Sequence, residues 1–212
     1  ETNTTIRFID SESYAIGQPS LAAAKYEGLT IESAEGQKAT ITLDGAGGYG
    51  FYYGQPNMTL QNVKVVNNGR DAGVLSANTG TIIKNVDFVD NVQSGYLLGA
   101  GQDMEVSYST FYGSGATNDD GKGISANTGS AGWTLTVDHC SFDNLGFAPI
   151  HNGAGYEMTV TNNSFGDFYS VSVYRKAIYV AGMLDEDYNR YYVDTAIAHP
   201  EGDDFSKITF GL

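Results

Sequence analysis

The chain has 212 residues, 41% of them hydrophobic and 17% charged, a mixture that can bury a core and therefore excludes general disorder. Its 11 basic and 25 acidic residues give a formal net charge of −14, so we expect no nucleic-acid partner, because an acidic surface repels phosphate. No run of 18 apolar residues occurs, so the sequence predicts no membrane span.

The first predicted element is a short helix near the N-terminus. The segment PSLAAAKYEG (19–28) combines helix-forming residues with a glycine that ends the pattern. We expect residues 1–28 to cap the first turn of the structure that follows. The chain begins at Glu1 without a charged and then apolar leader, which predicts a mature or excised part of a larger chain.

A five-fold repeat follows the predicted cap. Two apolar columns, five residues apart, recur at steps of 23, 23, 31 and 23 residues. The first column comprises Leu60, Ile83, Val106, Val137 and Val160. The second, named here the Phe column, comprises Val65, Phe88, Phe111, Phe142 and Phe165. Short segments rich in Val, Ile, Thr and Phe with a period of two predict β-strands.

Each repeat changes face three residues before the Phe column. A continuous strand cannot do this, so we expect two short strands joined by a tight bend. The residues at this position, named here the bend column, are Asn62, Asn85, Tyr108, His139 and Asn162. Asparagine tolerates the left-handed backbone that such a bend needs, and stacked asparagine amides can hydrogen-bond from coil to coil. We expect His139 to serve this ladder and Cys140, one residue later, to be a small buried apolar residue.

A third strand completes every unit. Its predicted inward column is Phe51, Leu75, Leu97, Ile124, Ile150 and Ile178, and its predicted outward column is Tyr52, Ser76, Leu98, Ser125, His151 and Tyr179. Three strands per turn predict an all-β fold, a right-handed parallel β-helix (solenoid) of about six coils over residues 29–182. Stacked neighbouring coils would supply the core.

Residues 183–212 lose the repeat and are predicted to form an irregular C-terminal cap, which makes 1–212 one domain; a linker into a following domain is the alternative. Asp185, Asp187 and Asn189 match the start of a calcium loop. However, Arg190 replaces the required glycine, and Ala196 stands where a bidentate acid belongs. We therefore expect an acidic turn and no cofactor, with calcium as the alternative.

The bend asparagines, the apolar columns and the G-I/L-x-x-N third strand resemble the pectate-lyase-like right-handed β-helix superfamily. The resemblance covers about residues 29–182, and the pieces FVDN (88–91) and GYLL (95–98) are similar to repeats of bacterial surface adhesins. It implies a carbohydrate-active or adhesive protein, extracellular or on the cell surface. Lyases, hydrolases and non-catalytic adhesins share the fold, so the fold alone does not decide the function.

Loop lengths predict a cleft on the third-strand face. The loops after Phe111 and Phe165 are longer than their counterparts, and both flank the coil of His151. The predicted ligand-binding residues are Asp119, Asp120, Ser125, Asn127, Trp133, His151, Asn152 and Tyr174, and the candidate catalytic residues are His151 and Arg175. An ordinary solvated surface histidine is the alternative.

Catalytic equipment is sparse around this cleft. The predicted outward column holds no acidic residue, and Asp119 and Asp120 are adjacent in a loop, which suits a two-carboxylate mechanism poorly. Tyrosines crowd positions 49–53 and suit sugar contacts. The leading hypothesis is a secreted or cell-surface module that binds carbohydrate or another surface ligand without catalysis. The alternatives are a polysaccharide lyase or glycoside hydrolase with its cleft at His151, and a structural stalk segment of a larger adhesin.

Overall fold

The computed structural model describes residues 4–17, 20–92, 94–115, 121–126, 132–168, 177–191 and 209–210. In these ranges the chain forms β-strands in three parallel sheets and one short 3-10 helix, Ala24–Tyr26. No helix within them is long and apolar enough to cross a membrane.

Sheets A, B and C run along the molecule, and each successive strand in a sheet comes from the next coil. Sheet A contains, numbered in chain order, β1 (Thr5–Phe8), β4 (Thr30–Ser33), β7 (Thr59–Gln61), β10 (Thr81–Lys84), β13 (Met104–Ser107), β16 (Thr134–Asp138), β19 (Glu157–Thr161) and β22 (Leu184–Asp187). Sheet B contains β2 (Ser13–Ile16), β5 (Thr40–Leu43), β8 (Lys64–Asn67), β11 (Asp87–Asp90), β14 (Thr110–Tyr112), β17 (Ser141–Asp143), β20 (Ser164–Phe165), β23 (Arg190–Tyr191) and β24 (Thr209–Phe210). Sheet C contains β3 (Ser20–Leu21), β6 (Tyr49–Tyr53), β9 (Ala72–Ser76), β12 (Tyr96–Ala100), β15 (Lys122–Ser125), β18 (Ile150–Asn152) and β21 (Ile178–Val180). The predicted class, an all-β parallel solenoid, is confirmed.

The Phe column forms the centre of the core. Its rings stack face to face on consecutive coils, with centroid distances of 4.9 Å from Phe88 to Phe111, 4.8 Å from Phe111 to Phe142 and 5.1 Å from Phe142 to Phe165. Parallel pairing in register places each ring directly above the last. The apolar side chains of one coil are therefore covered only by the coils on either side of it.

The bend column turns sheet A into sheet B as expected. Its five residues have φ values between 52° and 58°, in the left-handed region that lets the chain change direction within one residue. The amide of Asn85 donates to the side-chain oxygen of Asn62 at 2.8 Å, so the expected coil-to-coil hydrogen bond is present for this pair.

The N-terminal prediction needs correction. Residues 1–28 hold the first coil, β1 to β3, and the predicted helix at 19–28 is reduced to the 3-10 turn Ala24–Tyr26. A segment this short cannot pay the cost of helix nucleation, whereas Ser20 and Leu21 gain a parallel partner in Tyr52 and Tyr53. The solenoid therefore has seven complete coils rather than six.

The repeat also continues beyond residue 182. Strands β22 and β23 extend sheets A and B, and Tyr191 stacks on Phe165 at 5.0 Å as the next member of the Phe column. The sequence pattern hid this coil because Glu186 stands in the column of Val160. Its carboxylate accepts hydrogen bonds from the Tyr191 hydroxyl and from the Asn189 amide, which makes an inward acid tolerable. Residues 192–208 lie outside the described ranges.

The register of sheet C differs from the prediction in two coils. Val74 and Leu98, rather than Leu75 and Leu97, align with Phe51 in the inward column. Because both residues of each pair are apolar and buried, the hydrophobic pattern alone could not set the register. The outward column is Tyr52, Leu75, Gly99, Ser125, His151 and Tyr179.

Candidate functional site

His151 lies on β18, on the outer face of sheet C. Ser125 and Tyr179 are its register partners on the neighbouring coils. The imidazole stacks on the Tyr179 ring with centroids 4.7 Å apart and an angle of 15° between the planes, and it meets the edge of Phe147 at 5.3 Å. The Lys122 ammonium lies 4.8 Å from the centre of the same Phe147 ring. These four side chains form a compact aromatic cluster with one positive charge.

The environment keeps His151 neutral. Burial, with the nearby charge of Lys122 as a second cause, lowers the pKa of His151 to about 4. The Nδ1 atom is buried and has no hydrogen-bond partner among the described residues. At neutral pH the side chain therefore presents an uncharged ring with a large stacking surface.

Further aromatic residues lie on the same face toward the N-terminal coils. The rings of Tyr49 and Tyr52 stack with centroids 6.3 Å apart. Tyr96 covers Gly99, since a Cβ atom on that glycine would come within 2.7 Å of the tyrosine ring. Burial, with Tyr49 as a second cause, raises the pKa of Tyr96. We name the sheet C face by its members Tyr49, Tyr52, Tyr96, Lys122, Phe147, His151 and Tyr179.

A family model described as a right-handed β-helix region matches residues 2–165. The chain belongs to the right-handed β-helix family. The resemblance predicted from the bend asparagines and the apolar columns is thus confirmed at the level of the fold. No curated protein and no solved structure matches the chain.

The β-helix brings few of the predicted site residues to the sheet C face. Ser125 is buried beside His151, and Trp133 packs against the hydrophobic core at the entry to sheet A. Asn152 is fully buried: its side-chain oxygen accepts from the N–H groups of Gly155 and Tyr156, and its amide donates to the Tyr156 carbonyl. Asn152 therefore holds a turn and is not exposed to a ligand. The predicted residues outside the described ranges are Asp119, Asp120, Asn127, Tyr174 and Arg175.

Sequence reasoning did not predict Tyr96, Lys122, Phe147 and Tyr179 as site residues. Tyr96 and Lys122 were missed because the two-residue alternation was carried through sheet C without a break. Phe147 lies in the loop before β18, and Tyr179 was placed in the outward column without a role. A shared spacing could have identified Tyr96 and Lys122. Tyr96 precedes the outward residue Gly99 by three positions, and Lys122 precedes the outward residue Ser125 by three positions. Tyr96 and Lys122 are register partners on β12 and β15.

The residues of the calcium candidate lie on β22 and just after it. Asp185 is exposed on β22, whereas the Asn189 side chain is buried and donates to the Val160 carbonyl. The residues thus lie along a strand and the bend that follows it, not around a loop. Within the described residues, no group of three or more His, Cys, Asp or Glu side chains could hold a metal ion.

His139 and Cys140 have the structural positions that their columns predicted. His139 stacks on Tyr108 at 5.0 Å, and its Nδ1 lies 2.7 Å from a carboxylate oxygen of Asp138. Cys140 is buried, and burial raises the pKa of its thiol to about 12, so it stays protonated and unreactive at neutral pH.

The pKa of His151 predicts a pH effect on folding. Because the folded pKa of about 4 lies below the unfolded value near 6.5, the unfolded state binds more protons between these pH values. The folded state should therefore lose stability as the pH falls through this window.

We expect an NMR titration midpoint for the His151 ring near pH 4. In urea unfolding, the free energy of unfolding of the wild type minus that of His151→Gln should decrease as the pH is lowered from 6.5 to 4.5. A ring titrating near 6.5 would contradict the buried environment.

Proposed function

We propose that this β-helix is a secreted or cell-surface module that binds carbohydrate on the sheet C face without catalysing a reaction. The observation that carries the proposal is the row of aromatic side chains on this outer face. Aromatic rings pack on the apolar faces of sugars, and tyrosine and histidine add hydrogen-bonding groups at the ring edge. The row runs from Tyr52 in the second coil to Tyr179 in the seventh.

The length of this row suits an extended ligand. Coils stack at about 4.8 Å, so the five steps between Tyr52 and Tyr179 span about 24 Å. The tyrosines at the N-terminal end and the His151–Tyr179 pair at the other end give two separate stacking platforms. Ligands that reach both platforms gain affinity over those that reach one.

The chemistry of the face argues against hydrolysis. The outward column of sheet C contains no aspartate or glutamate among the described residues, whereas glycoside hydrolysis generally uses two positioned carboxylates. A histidine with a pKa of about 4 is also a weak proton acceptor at neutral pH. The lyase or hydrolase alternative therefore has less support than binding.

A glycan array followed by affinity measurements tests this proposal. We expect one or more oligosaccharides to bind, and Tyr179→Ala and Tyr52→Ala each to weaken binding by about fivefold, since one lost stacking contact is worth about 1 kcal/mol. The control is Tyr112→Ala, which removes an exposed tyrosine from sheet B. A ligand that is insensitive to both sheet C variants would contradict the site, and turnover of that ligand would contradict the non-catalytic function.

A further inference from the structure

The bend column builds a second aromatic surface along the ridge where sheet A turns into sheet B. Tyr108 and His139 occupy consecutive coils, and their rings stack with centroids 5.0 Å apart and an angle of 23° between the planes. Two coils beyond His139, Tyr188 has the same left-handed backbone, with a φ of 55°, and its side chain is 72% exposed.

The ring ladder is interrupted in the coil between His139 and Tyr188. Asn162 occupies the bend position there, and its side chain carries no ring. A groove of about 340 Å³ lies at this interruption, lined by His139, Asn162, Asn163, Ser164, Tyr188 and Arg190. We name this groove the ring gap.

The distance between coils makes the ring gap wide enough for one inserted ring. Two coil steps of about 4.8 Å separate the backbones of His139 and Tyr188 by about 9.6 Å. A ring placed midway would lie about 4.8 Å from each wall, inside the range of about 4.5–7 Å that stacked aromatic rings prefer. The Tyr108–His139 pair shows that neighbouring coils on this ridge stack at this distance.

The His139 wall and the floor of the ring gap are held in place. The Asp138 carboxylate accepts from the Asn162 amide at 2.9 Å and from the Thr161 hydroxyl at 2.7 Å, and its other oxygen meets His139. Burial alone would raise the pKa of Asp138, but these hydrogen bonds together outweigh it and lower the pKa, so the carboxylate stays charged and keeps its partners at neutral pH. A ligand would therefore meet a largely preformed site.

We propose that the ring gap binds one pyranose ring of a carbohydrate, inserted between His139 and Tyr188. A pyranose has apolar faces, which suit the two aromatic walls, and hydroxyl groups around its edge. The edge would meet the side-chain oxygen of Asn162 and the hydroxyl of Ser164. A purely aromatic ligand would leave these polar groups without partners, at a cost in free energy. This site lies on the ridge between sheets A and B, so it stands independently of the function proposed for sheet C.

The test uses NMR titration with a panel of methyl glycosides of neutral hexoses and hexuronic acids. We expect at least one glycoside to shift the ring resonances of His139 and Tyr188 in a saturable manner. Tyr188→Ala removes one wall and should weaken that binding at least tenfold. Tyr112→Ala, an exposed tyrosine in sheet B outside the ring gap, is the matched control and should leave it unchanged.

A filling variant makes the test specific. Asn162→His adds the missing ring at a backbone position where Tyr108 and His139 already accept φ values of 52° and 53°. It should keep the thermal unfolding midpoint within a few degrees and abolish glycoside binding at the ridge. The proposal is overturned if no glycoside shifts the His139 and Tyr188 resonances, if binding survives Asn162→His, or if indole binds more tightly than every glycoside.

Discussion

Replacement of Phe111 by alanine is expected to lower the free energy of unfolding by about 3–5 kcal/mol. The ring is 1% exposed and stacks between Phe88 and Phe142, at 4.9 Å and 4.8 Å. Its removal leaves a cavity that the neighbouring coils cannot close, because their own rings are fixed by the stack. Urea unfolding monitored by circular dichroism measures the loss.

The matched control is the next residue on the same strand. Tyr112 is 49% exposed on the opposite face of β14, so Tyr112→Ala should change the free energy of unfolding by no more than about 0.5 kcal/mol. If Phe111→Ala lost less than about 1 kcal/mol, the Phe column would not be the packed centre of the molecule.

Asn163→Ala should also be strongly destabilising, for a different physical reason. The Asn163 side chain is buried, and its oxygen accepts from the Cys140 N–H at 2.8 Å. Its amide donates to the Val137 carbonyl and to the Asn189 side chain, both at 3.0 Å. Each buried group left without its partner costs about 1–3 kcal/mol, so we expect a total loss of at least about 2 kcal/mol.

The neighbouring asparagine provides the comparison for this substitution. Asn162 is exposed, and its amide makes one hydrogen bond, to Asp138. Glycine accepts its left-handed backbone without strain, so Asn162→Gly should cost less than about 1 kcal/mol. Equal losses in the two variants, measured by urea unfolding, would show that the buried amide network contributes little.

The sequence predicted the parts of the fold that follow from side-chain periodicity. The Phe column and the bend column are regular because each coil must place the same side chain over the last one. The side chains change face between Leu60 and Val63, which requires a tight bend in the backbone. Asn62 forms this bend with a left-handed φ of 55°. These two rules suffice for the class of the fold and for the centre of its core.

The ends of the solenoid escaped prediction because their patterns depart from these rules. The first coil has no asparagine bend that aligns with the others, and its strand β3 has only two residues. In the last coil, the inward Glu186 conceals a strand that otherwise continues the pairing of sheet A. Its tolerance depends on hydrogen bonds from Tyr191 and Asn189, which no local pattern reveals.

The candidate site was only partly predictable for a similar reason. The placement of His151 on the outer face followed from its column, and the structure agrees. Its stacking on Tyr179 and its neutral state depend on side chains from other coils and from the loop that carries Phe147. The ring gap likewise exists only because His139 and Tyr188 are brought within two coils of each other.

The parallel stacking of near-identical coils has a consequence for how such a chain can change in length during evolution. Between Leu60 and Val106, each coil adds 23 residues, and the strands of sheets A and B pair at this 23-residue offset. Removal or duplication of one whole unit leaves every remaining ring with a partner above and below. A single inserted residue within a strand instead turns the following side chains to the wrong face. The length of this protein can therefore vary in whole coils or in the loops between strands, as the 31-residue step from Val106 to Val137 shows, while the spacing within the strands and their bends is fixed.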